Sequence, residues 1–421
     1  MRRRFSAIGL LVLCGALTFG LEVIADDVVE LTNGTKVQGK VTSQDGSVVV
    51  IDVMVNGKKY TRKYPKSNVK GVTLEGSSGS GTAPDSRTRQ EVLDLIQSAG
   101  GTPPDWFEST TLDYPNTLDL SWPQPPPQPW NSSKNVGQFV WDRVNPNPGQ
   151  WRNGVKLMHH IMTVNKDNKE VITRASRSLG AMYHNYFEDD ARAAFWWQVG
   201  GVHTDKTCDP RNVAFLAGCY YRLGNKPMAM DLLKTYGRTT PPFIKLLGDM
   251  GETDSALKIA ESGEKTNAAT ECFLYAGDVC RVANRLQDAE RYYRKVIAAA
   301  DQNQGRNQEH VNRDKKRAEA SLAALQFYQL SPKQVADGTY TASSQGYEDQ
   351  VHVEVVIAGG VIKDVKVTKH REKQFHTSLT DTPRSILDRQ ILTGIDTTSG
   401  ATITSEAIIN ATAKALSQGK Q

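Results

Sequence analysis

The sequence predicts a multidomain α+β protein: a small amino-terminal β-barrel-like domain, an array of paired helices in the middle, and a carboxyl-terminal α+β domain. Three observations predict this class. They are the length of 421 residues, two abrupt changes of hydrophobic period, and a break rich in glycine and serine between the first two parts. At about 100 to 200 residues per domain, this length requires several hydrophobic cores. A hydrophobic content of 38% and a charged content of 23% are typical of proteins that fold in water.

Charge and cysteine content exclude several classes of function. The net charge of +5 comes from 51 basic and 46 acidic residues that are spread along the chain, so we predict no nucleic-acid partner. The five cysteines include no CxxC pair, and no hydrolase or nucleotide-binding motif is present. His159 and His160 point about 100° apart on a helix, and we interpret them and His184 as packing residues. The sequence therefore predicts no metal site and no catalytic residues.

Residues 1–25 have the pattern of an export signal. Three arginines precede an uncharged run at positions 5–21, and a Val23-x-Ala25 step stands before Asp26. We favour cleavage after Ala25, because glycine, serine and threonine dilute the run. An uncleaved membrane anchor remains the alternative, since the run reaches the lower length limit of a membrane span. The sequence thus predicts an exported protein of the periplasm or of the outer face of the cytoplasmic membrane.

Residues 26–75 alternate short runs of Val, Ile, Thr and Tyr with Asn-Gly or Asp-Gly dipeptides at positions 33, 45 and 56. Such dipeptides supply the positive φ angles of tight hairpin turns. The segment therefore predicts a meander of about five antiparallel strands. We interpret this predicted domain either as a docking module or as a structural cap.

Residues 76–153 are predicted to be a linker followed by an irregular, proline-rich region. The stretch 76–84 is rich in glycine and serine, a composition that cannot bury a core. The stretch 122–130 is rich in proline, which favours extended backbone. We interpret it as a rigid spacer over the following helices, with a ligand for an aromatic groove as the alternative.

Between residues 154 and 330 the hydrophobic period becomes helical. Small residues recur early in every second helix, at spacings scattered around the ~34 residues of a tetratricopeptide repeat. These positions are Ala191, Ala229, Ala256 and Ala289. The segment resembles a degenerate array of that family, in which small residues let paired helices approach closely. We expect either a docking surface for partner proteins or a scaffold without a ligand.

Residues 333–421 predict the α+β domain. Valine or isoleucine at every second position from 351 to 357 leads into a Gly-Gly turn, which is a hairpin pattern. The last helix is predicted from about Ser405 to Leu416, with Thr404 or Ser405 as its N-cap.

The loop before this helix carries the most informative pattern in the chain. Residues 396–405 read Asp-x-x-Ser-Gly-Ala-Thr-x-Thr-Ser. A hydroxyl-rich turn that enters a helix places N–H groups and the positive end of the helix dipole where a phosphate can bind. Together with the opening Asp-Gly-Thr-Tyr at 337–340 and the Gly-Gly hairpin, the pattern resembles the FMN-binding domain shared by the C subunit of sodium-translocating NADH:quinone oxidoreductase and the G subunit of Rnf complexes.

The resemblance implies that a flavin transferase moves FMN from FAD onto Thr402, which then holds the FMN covalently through a phosphoester. The implied cofactor-binding residues are Thr402, Ser399, Gly400, Ala401, Thr404 and Asp396. Ser399 and Thr404 are expected to donate hydrogen bonds to the phosphate. Asp396 is expected to position the attacking hydroxyl or a metal ion bound to the transferase.

Several side chains near the predicted sheet are candidates to flank the flavin ring. They are Tyr340, Tyr347, His352, His370, Phe375 and His376. Ordinary packing or surface positions are the alternative for each of them. The basic run at 369–376 is interpreted either as the mouth of the cofactor site or as a solvated face.

These patterns predict an exported electron carrier with covalent FMN, rather than a stand-alone enzyme. Its expected partners are a flavin transferase and redox proteins that dock on the helical repeats, with membrane association if the signal is not cleaved. Because of the long helical insertion, membership in the membrane complexes named above is not implied. The alternative is a non-redox scaffold or adaptor protein of the cell envelope.

Overall fold

A computed structural model of the chain describes residues 27–31, 36–44, 48–55, 58–65, 69–73, 87–126, 128–237, 240–302, 308–372, 378–395 and 402–421. The chain divides into two compact units, residues 1–78 and 79–421. The predicted signal at 1–25 and the Gly/Ser stretch at 76–84 lie outside the described residues. Among the helices that are described, none is both long and apolar enough to cross a membrane.

The first unit contains the antiparallel strands β1 (Asp27–Leu31), β2 (Lys36–Gln44), β3 (Val48–Val55), β4 (Lys58–Pro65) and β5 (Val69–Thr73). They form a five-stranded sheet in the order β4-β3-β2-β1-β5. Its core consists of Val29, Val37, Val49 and Ile51; the last two are alternate residues of β3 and so share one face of the sheet. In the described strands, β4 and β5 are the two edge strands of this sheet. A closed barrel therefore stays a prediction.

The second unit begins with a helix that the sequence analysis missed. Helix α1 (Arg89–Gly100) lies within the segment 76–153, which we predicted to be irregular. Thr88 caps this helix reciprocally with Glu91. The Thr88 hydroxyl accepts the Glu91 N–H at 3.3 Å, and the Glu91 carboxylate accepts the Thr88 N–H at 2.6 Å. This capping box satisfies two N–H groups that a helix start otherwise leaves without partners.

A series of helices follows α1. Their bounds are α2 (Val136–Phe139), α3 (Trp151–Val164), α4 (Lys169–Phe187), α5 (Asp190–Val199), α6 (Pro210–Arg222), α7 (Lys226–Tyr236), α8 (Pro241–Asp249), α9 (Thr253–Ser262), α10 (Ala269–Val282), α11 (Leu286–Gln302) and α12 (Gln308–Leu325). Helix α4 packs against α5, α6 against α7, α8 against α9, and α10 against α11. Consecutive helices are thus paired in space, whereas their membership in the tetratricopeptide family stays a prediction.

Two glycines allow close contact within these pairs. A Cβ atom on Gly180 of α4 would lie 2.6 Å from the ring of Trp197 on α5. A Cβ atom on Gly277 of α10 would lie 2.5 Å from the ring of Tyr293 on α11. Both distances are far below the ~3.5 Å at which carbon atoms attract each other. Larger residues at these positions would force the paired helices apart.

The carboxyl-terminal region contains an antiparallel sheet of β6 (Gly338–Gln345), β7 (Gln350–Ala358) and β8 (Val361–Lys369), in that order. Helix α14 (Thr402–Gln418) packs on β6 and β7, and helix α13 (Ser378–Arg389) packs on β8. The alternating valine and isoleucine side chains of β7 are buried, as predicted. The predicted start of α14 is wrong. The helix begins at Thr402, so Thr404 and Ser405 lie inside its first turn and neither is the N-cap.

Candidate functional site

The amino end of α14 is the place where the sequence motif enters regular structure. Thr402 is the first residue of this 17-residue helix and is half-buried. The first turn of a helix has N–H groups without intrahelical acceptors, and the helix dipole adds positive potential there. A phosphate on the Thr402 hydroxyl would therefore lie in a favourable electric field. The other motif residues Asp396, Ser399, Gly400 and Ala401 lie outside the described residues.

A buried carboxylate connects this helix end to the sheet. Glu372 follows β8, and only 6% of its surface is exposed. Its Oε2 accepts a hydrogen bond from the Thr404 hydroxyl at 2.5 Å. Its Oε1 accepts the backbone N–H groups of Tyr347 at 3.0 Å and Glu348 at 3.3 Å. Glu372 therefore positions both the start of α14 and the turn between β6 and β7.

This contact changes the role that the sequence suggested for Thr404. A hydroxyl group carries one hydrogen, and that of Thr404 is donated to Glu372 rather than left available for a phosphate. Thr404 is thus a positioning residue in this structure. Sequence reasoning missed Glu372, because a single acidic residue within the basic run at 369–376 gave no sign that it is buried.

Tyr347 is an exposed aromatic side chain next to the same helix end. It lies in the turn between β6 and β7, and 39% of its surface is exposed. The guanidinium of Arg313, on α12, lies 4.7 Å from the centre of its ring. Because Glu372 bonds both the backbone N–H of Tyr347 and the hydroxyl of Thr404, the backbone of Tyr347 is held close to the first turn of α14.

Of the other flanking candidates, Tyr340 lies at the opposite end of α14. The hydroxyl of Tyr340 donates to the Ala336 carbonyl at 2.8 Å, and its ring packs against Gly419 beyond the carboxyl end of α14. At about 1.5 Å per residue, that end is far from Thr402. His352 is paired with Lys369 across β7 and β8, and His370 follows β8 directly. Phe375 and His376 lie outside the described residues.

A buried charged network joins the helical region to α14. We call it the junction cluster: Arg317 of α12, Glu406 of α14, and Asp278 and Arg281 of α10. The guanidinium of Arg317 lies 2.8 Å from Glu406 and 3.7 Å from Asp278. All four side chains are almost completely buried. The Nη1 of Arg281 donates to the carbonyl of Ile395 at 3.1 Å.

The two carboxyl groups of the junction cluster have opposite pKa shifts. Burial, reinforced by the neighbouring Glu406, raises the pKa of Asp278 well above its usual range. Burial alone would also raise the pKa of Glu406, but Arg317, a hydrogen bond with Asp278 and Arg281 together lower it. Asp278 Oδ2 and Glu406 Oε1 accept no hydrogen bond from a donor of the described residues. One proton shared between them satisfies both oxygens.

A second buried network lies wholly within the helical region. We call it the helical cluster: Asp190, Arg222, His184 and Cys219. The guanidinium of Arg222 donates to both oxygens of Asp190, at 2.6 and 2.8 Å, and the Cys219 thiol lies 3.2 Å from the same carboxylate. Ligand atoms of His184, Asp190 and Cys219 lie within 4.8 Å of one another, a spacing that suits a metal ion. Arg222 already supplies the positive charge that this carboxylate requires.

His159, His160 and the cysteines fit packing roles. His159 lies edge-on to Phe107 and Trp196, with ring centres 4.8 and 5.0 Å away, and burial lowers its pKa to about 4. His160 bonds the hydroxyl of Tyr114 at 3.1 Å. The described cysteines form no disulfide and are buried. They are Cys208, Cys219, Cys272 and Cys280.

Comparison with known proteins bears on the carboxyl-terminal region. Residues 346–417 match the family model of the FMN-binding domain. This match supports an FMN-binding domain at the end of the chain. The domain comprises most of the α+β region described above, including Glu372, Thr402 and α14.

One relative was found among known proteins. An uncharacterized protein of Treponema pallidum (strain Nichols) is 38% identical over 90 residues, which cover 21% of this chain and 25% of that protein. The matched part thus spans about a quarter of the relative's length. No solved structure matches the chain.

The described residues at the start of α14 fit a flavin phosphate. Thr402 offers a hydroxyl at the positive end of a long helix. Arg313 offers a buried Nε that has no hydrogen-bond partner within the described ranges, and Tyr347 offers an exposed aromatic face. A guanidinium and a helix start both favour a bound anion, and an aromatic ring suits stacking with a flavin.

Proposed function

We propose that this protein is an exported electron-transfer flavoprotein that carries FMN covalently on Thr402. One observation carries the proposal: the sequence motif and the structure identify the same threonine. The match to the FMN-binding domain extends over residues 346–417, and the threonine that follows Gly-Ala in its motif is the first residue of α14. When bound, FMN supplies one- and two-electron redox chemistry that the polypeptide lacks.

The attachment step is a phosphoryl transfer that needs FAD and a flavin transferase. The Thr402 oxygen attacks the phosphorus on the riboflavin side of the FAD pyrophosphate. A phosphoester bond to Thr402 forms, the bond between the two phosphates breaks, and AMP leaves. The hydroxyl proton passes to a base of the transferase. The positive end of α14 favours the negative charge that stays on the attached phosphate.

Export and covalent attachment are consistent with each other. A cofactor bound reversibly outside the cytoplasm would be lost by dilution, whereas a phosphoester retains it. In this proposal the paired helices of residues 154–330 dock redox partner proteins, and electrons pass between those partners through the attached flavin. The protein remains at the periplasmic side of the cytoplasmic membrane, either free after cleavage at Ala25 or anchored through residues 1–25.

The proposal is tested by producing the full chain together with a flavin transferase and measuring the intact mass and visible absorbance. We expect a yellow protein whose mass exceeds that of the polypeptide by FMN less one water. The Thr402→Ala variant should be colourless and unmodified. A matched control, Thr398→Ala, removes a hydroxyl from the same loop and should be modified normally.

A colourless wild-type chain produced beside a transferase that modifies a known substrate would contradict the proposal. The non-redox scaffold would then be the better description. Its helical pairs and its junction cluster are formed by contacts within the polypeptide, so such a protein would still be folded.

A further inference from the structure

Helices α12 and α14 run side by side with a constant register. Arg317 of α12 contacts Glu406 of α14, and the two positions are 89 residues apart. One turn further along, Ser321 of α12 accepts a hydrogen bond from Asn410 of α14, and these positions are also 89 residues apart. A constant offset means that the two helices are parallel. The next turn towards the amino ends therefore places Arg313 level with Thr402, because residues i and i+4 share one helix face.

A second set of contacts leads to the same place from the sheet side. The guanidinium of Arg313 lies over the ring of Tyr347. The backbone of Tyr347 is bonded to Glu372, which is bonded to Thr404 in the first turn of α14. The helical register and the hydrogen bonds through Glu372 thus independently bring Arg313 to the amino end of α14.

The bonding of Arg313 leaves capacity for an anion. Its Nη2 is 2.6 Å from Nδ1 of His310, whereas its Nε is buried and has no partner in the part of the chain that the structure describes. A guanidinium carries five N–H donors in a planar fork that matches phosphate oxygens. Arg317, one turn away on the same helix, instead uses its guanidinium on Glu406.

We propose that Arg313, a residue of the helical region, binds the phosphate of the FMN on Thr402, so that the flavin site is built from both the α+β domain and α12. This inference rests on the proposed function. It assigns to the helical region a direct role in the cofactor site, beyond docking of partners. The sequence could not indicate it, because Arg313 is one of many basic residues on α12 and lies outside the segment that matches the FMN-binding domain.

The test uses phosphorus-31 NMR of the flavin-loaded full chain, which reports on the phosphoester itself and not on electron transfer. We compare wild type with Arg313→Gln, Arg313→Lys and Lys316→Gln. Lys316 is exposed on the same helix, so its variant loses the same charge without affecting the site. For each protein, the reference is the phosphorus resonance of the same sample unfolded in urea.

We expect Arg313→Gln to move the phosphorus resonance from its native position towards the unfolded reference. Arg313→Lys should give a smaller shift, since lysine keeps the positive charge but lacks the planar group of N–H donors. Lys316→Gln should give no shift. A resonance in folded Arg313→Gln identical to that of wild type would overturn the inference. If Arg313→Gln does not fold, the lysine variant decides in the same way.

Failure of the proposed function is distinguishable from failure of this inference. If wild-type protein acquires no FMN beside an active transferase, no phosphoester resonance exists and the proposed function is wrong. If wild type is loaded and its resonance does not depend on Arg313, the flavoprotein proposal stands and the inference alone is wrong.

Discussion

The helical cluster and the junction cluster are made from the same residue types but differ in how completely they are paired. In the helical cluster, one guanidinium bonds both oxygens of one carboxylate, Arg222 with Asp190. In the junction cluster, two arginines face two carboxyl groups, and Asp278 and Glu406 each keep an oxygen that accepts no hydrogen bond from a donor of the described residues. The helical cluster connects neighbouring helices, whereas the junction cluster connects the helical region to the α+β domain.

The junction cluster lies next to the described residues that flank the sequence motif. Residues 396–401 connect Ile395 to Thr402. The carbonyl of Ile395 accepts from Arg281, and Glu406, in the second turn of α14, pairs with Arg317. Described residues on both sides of the motif, Ile395 and Glu406, therefore contact arginines of the helical region. The contacts of the helical cluster join α4, α5 and α6 to one another.

The largest expected effect is that of breaking the junction cluster. Arg317→Met leaves Glu406 buried without its main partner, which typically costs about 3–5 kcal/mol of unfolding free energy. Urea unfolding followed by far-ultraviolet circular dichroism measures the loss. Lys316→Gln, an exposed neighbour, should leave the stability nearly unchanged. A loss below about 1 kcal/mol for Arg317→Met would show that the cluster does not hold the two regions together.

A smaller loss is expected in the helical cluster. Asp190 is partly exposed, and Asp190→Asn weakens charge-assisted hydrogen bonds worth about 1–3 kcal/mol. Asp231→Asn, in the exposed pair with Arg89, is the matched control and should cost little. A larger loss for Asp190→Asn than for Arg317→Met would reverse the ranking of the two clusters.

The loss caused by Asp190→Asn should depend on pH. Burial alone would raise the pKa of Asp190, but Arg222 and hydrogen bonds from His184 and Arg222 lower it below its usual range. The stabilisation is therefore present above the unfolded pKa of about 3.9 and is lost as the pH falls towards the folded value. Unfolding curves at pH 7 and pH 3 should show a smaller difference between wild type and variant at pH 3.

The junction cluster should respond to pH in the opposite direction. The raised pKa of Asp278 means that the folded protein binds a proton that the unfolded chain releases above about pH 4. Stability contributed by this proton falls as the pH rises, by up to about 1.4 kcal/mol per pH unit, until Asp278 ionises. Asp278→Asn imitates the protonated group and should flatten this decline between pH 5 and pH 8. Parallel pH profiles of the two proteins would show that Asp278 carries no such proton.

The smallest predicted effect concerns a single hydrogen bond at the junction. The hydroxyl of the buried Tyr328 donates to Asn410 of α14. Tyr328→Phe should lower the unfolding free energy by about 1 kcal/mol. Tyr236→Phe removes a similar bond to the Cys208 carbonyl within the helical region, and serves as control. In flavin-loaded protein, only Tyr328→Phe should alter flavin fluorescence, because only Tyr328 contacts α14.

Much of the element order could be predicted from local sequence patterns. The strands β1–β5, the alternating positions of β7 and the helical period of residues 154–330 each depend on neighbours along the chain. The turn dipeptides at positions 33, 45 and 56 lie outside the described residues. Helix α1 carried a readable signal as well, since Thr88 and Glu91 form a capping box, but the surrounding glycine and proline concealed it. The start of α14 was misplaced because Thr-Ile-Thr has low helix propensity, which the bond between Thr404 and Glu372 overrides.

The assembly of the site could not be predicted in the same way. The sequence motif identified Thr402, whereas Glu372 and Arg313 are assigned to the site only from the folded structure. Residues of α12 and α14 that contact each other are 89 positions apart. No periodic pattern in a single sequence predicts a contact over that separation. Likewise, no local pattern marks Arg317 as buried, because arginine on an amphipathic helix is usually solvated.

The central claim is the phosphoester on Thr402, and peptide mapping of the protein from its native source tests it most directly. Trypsin cleavage after Arg389 and Lys414 releases residues 390–414, which contain Thr402. Tandem mass spectrometry of this peptide should show the added mass of FMN less one water, with fragment ions that assign it to Thr402. An unmodified peptide, or a flavin assigned to any other residue, would contradict the account.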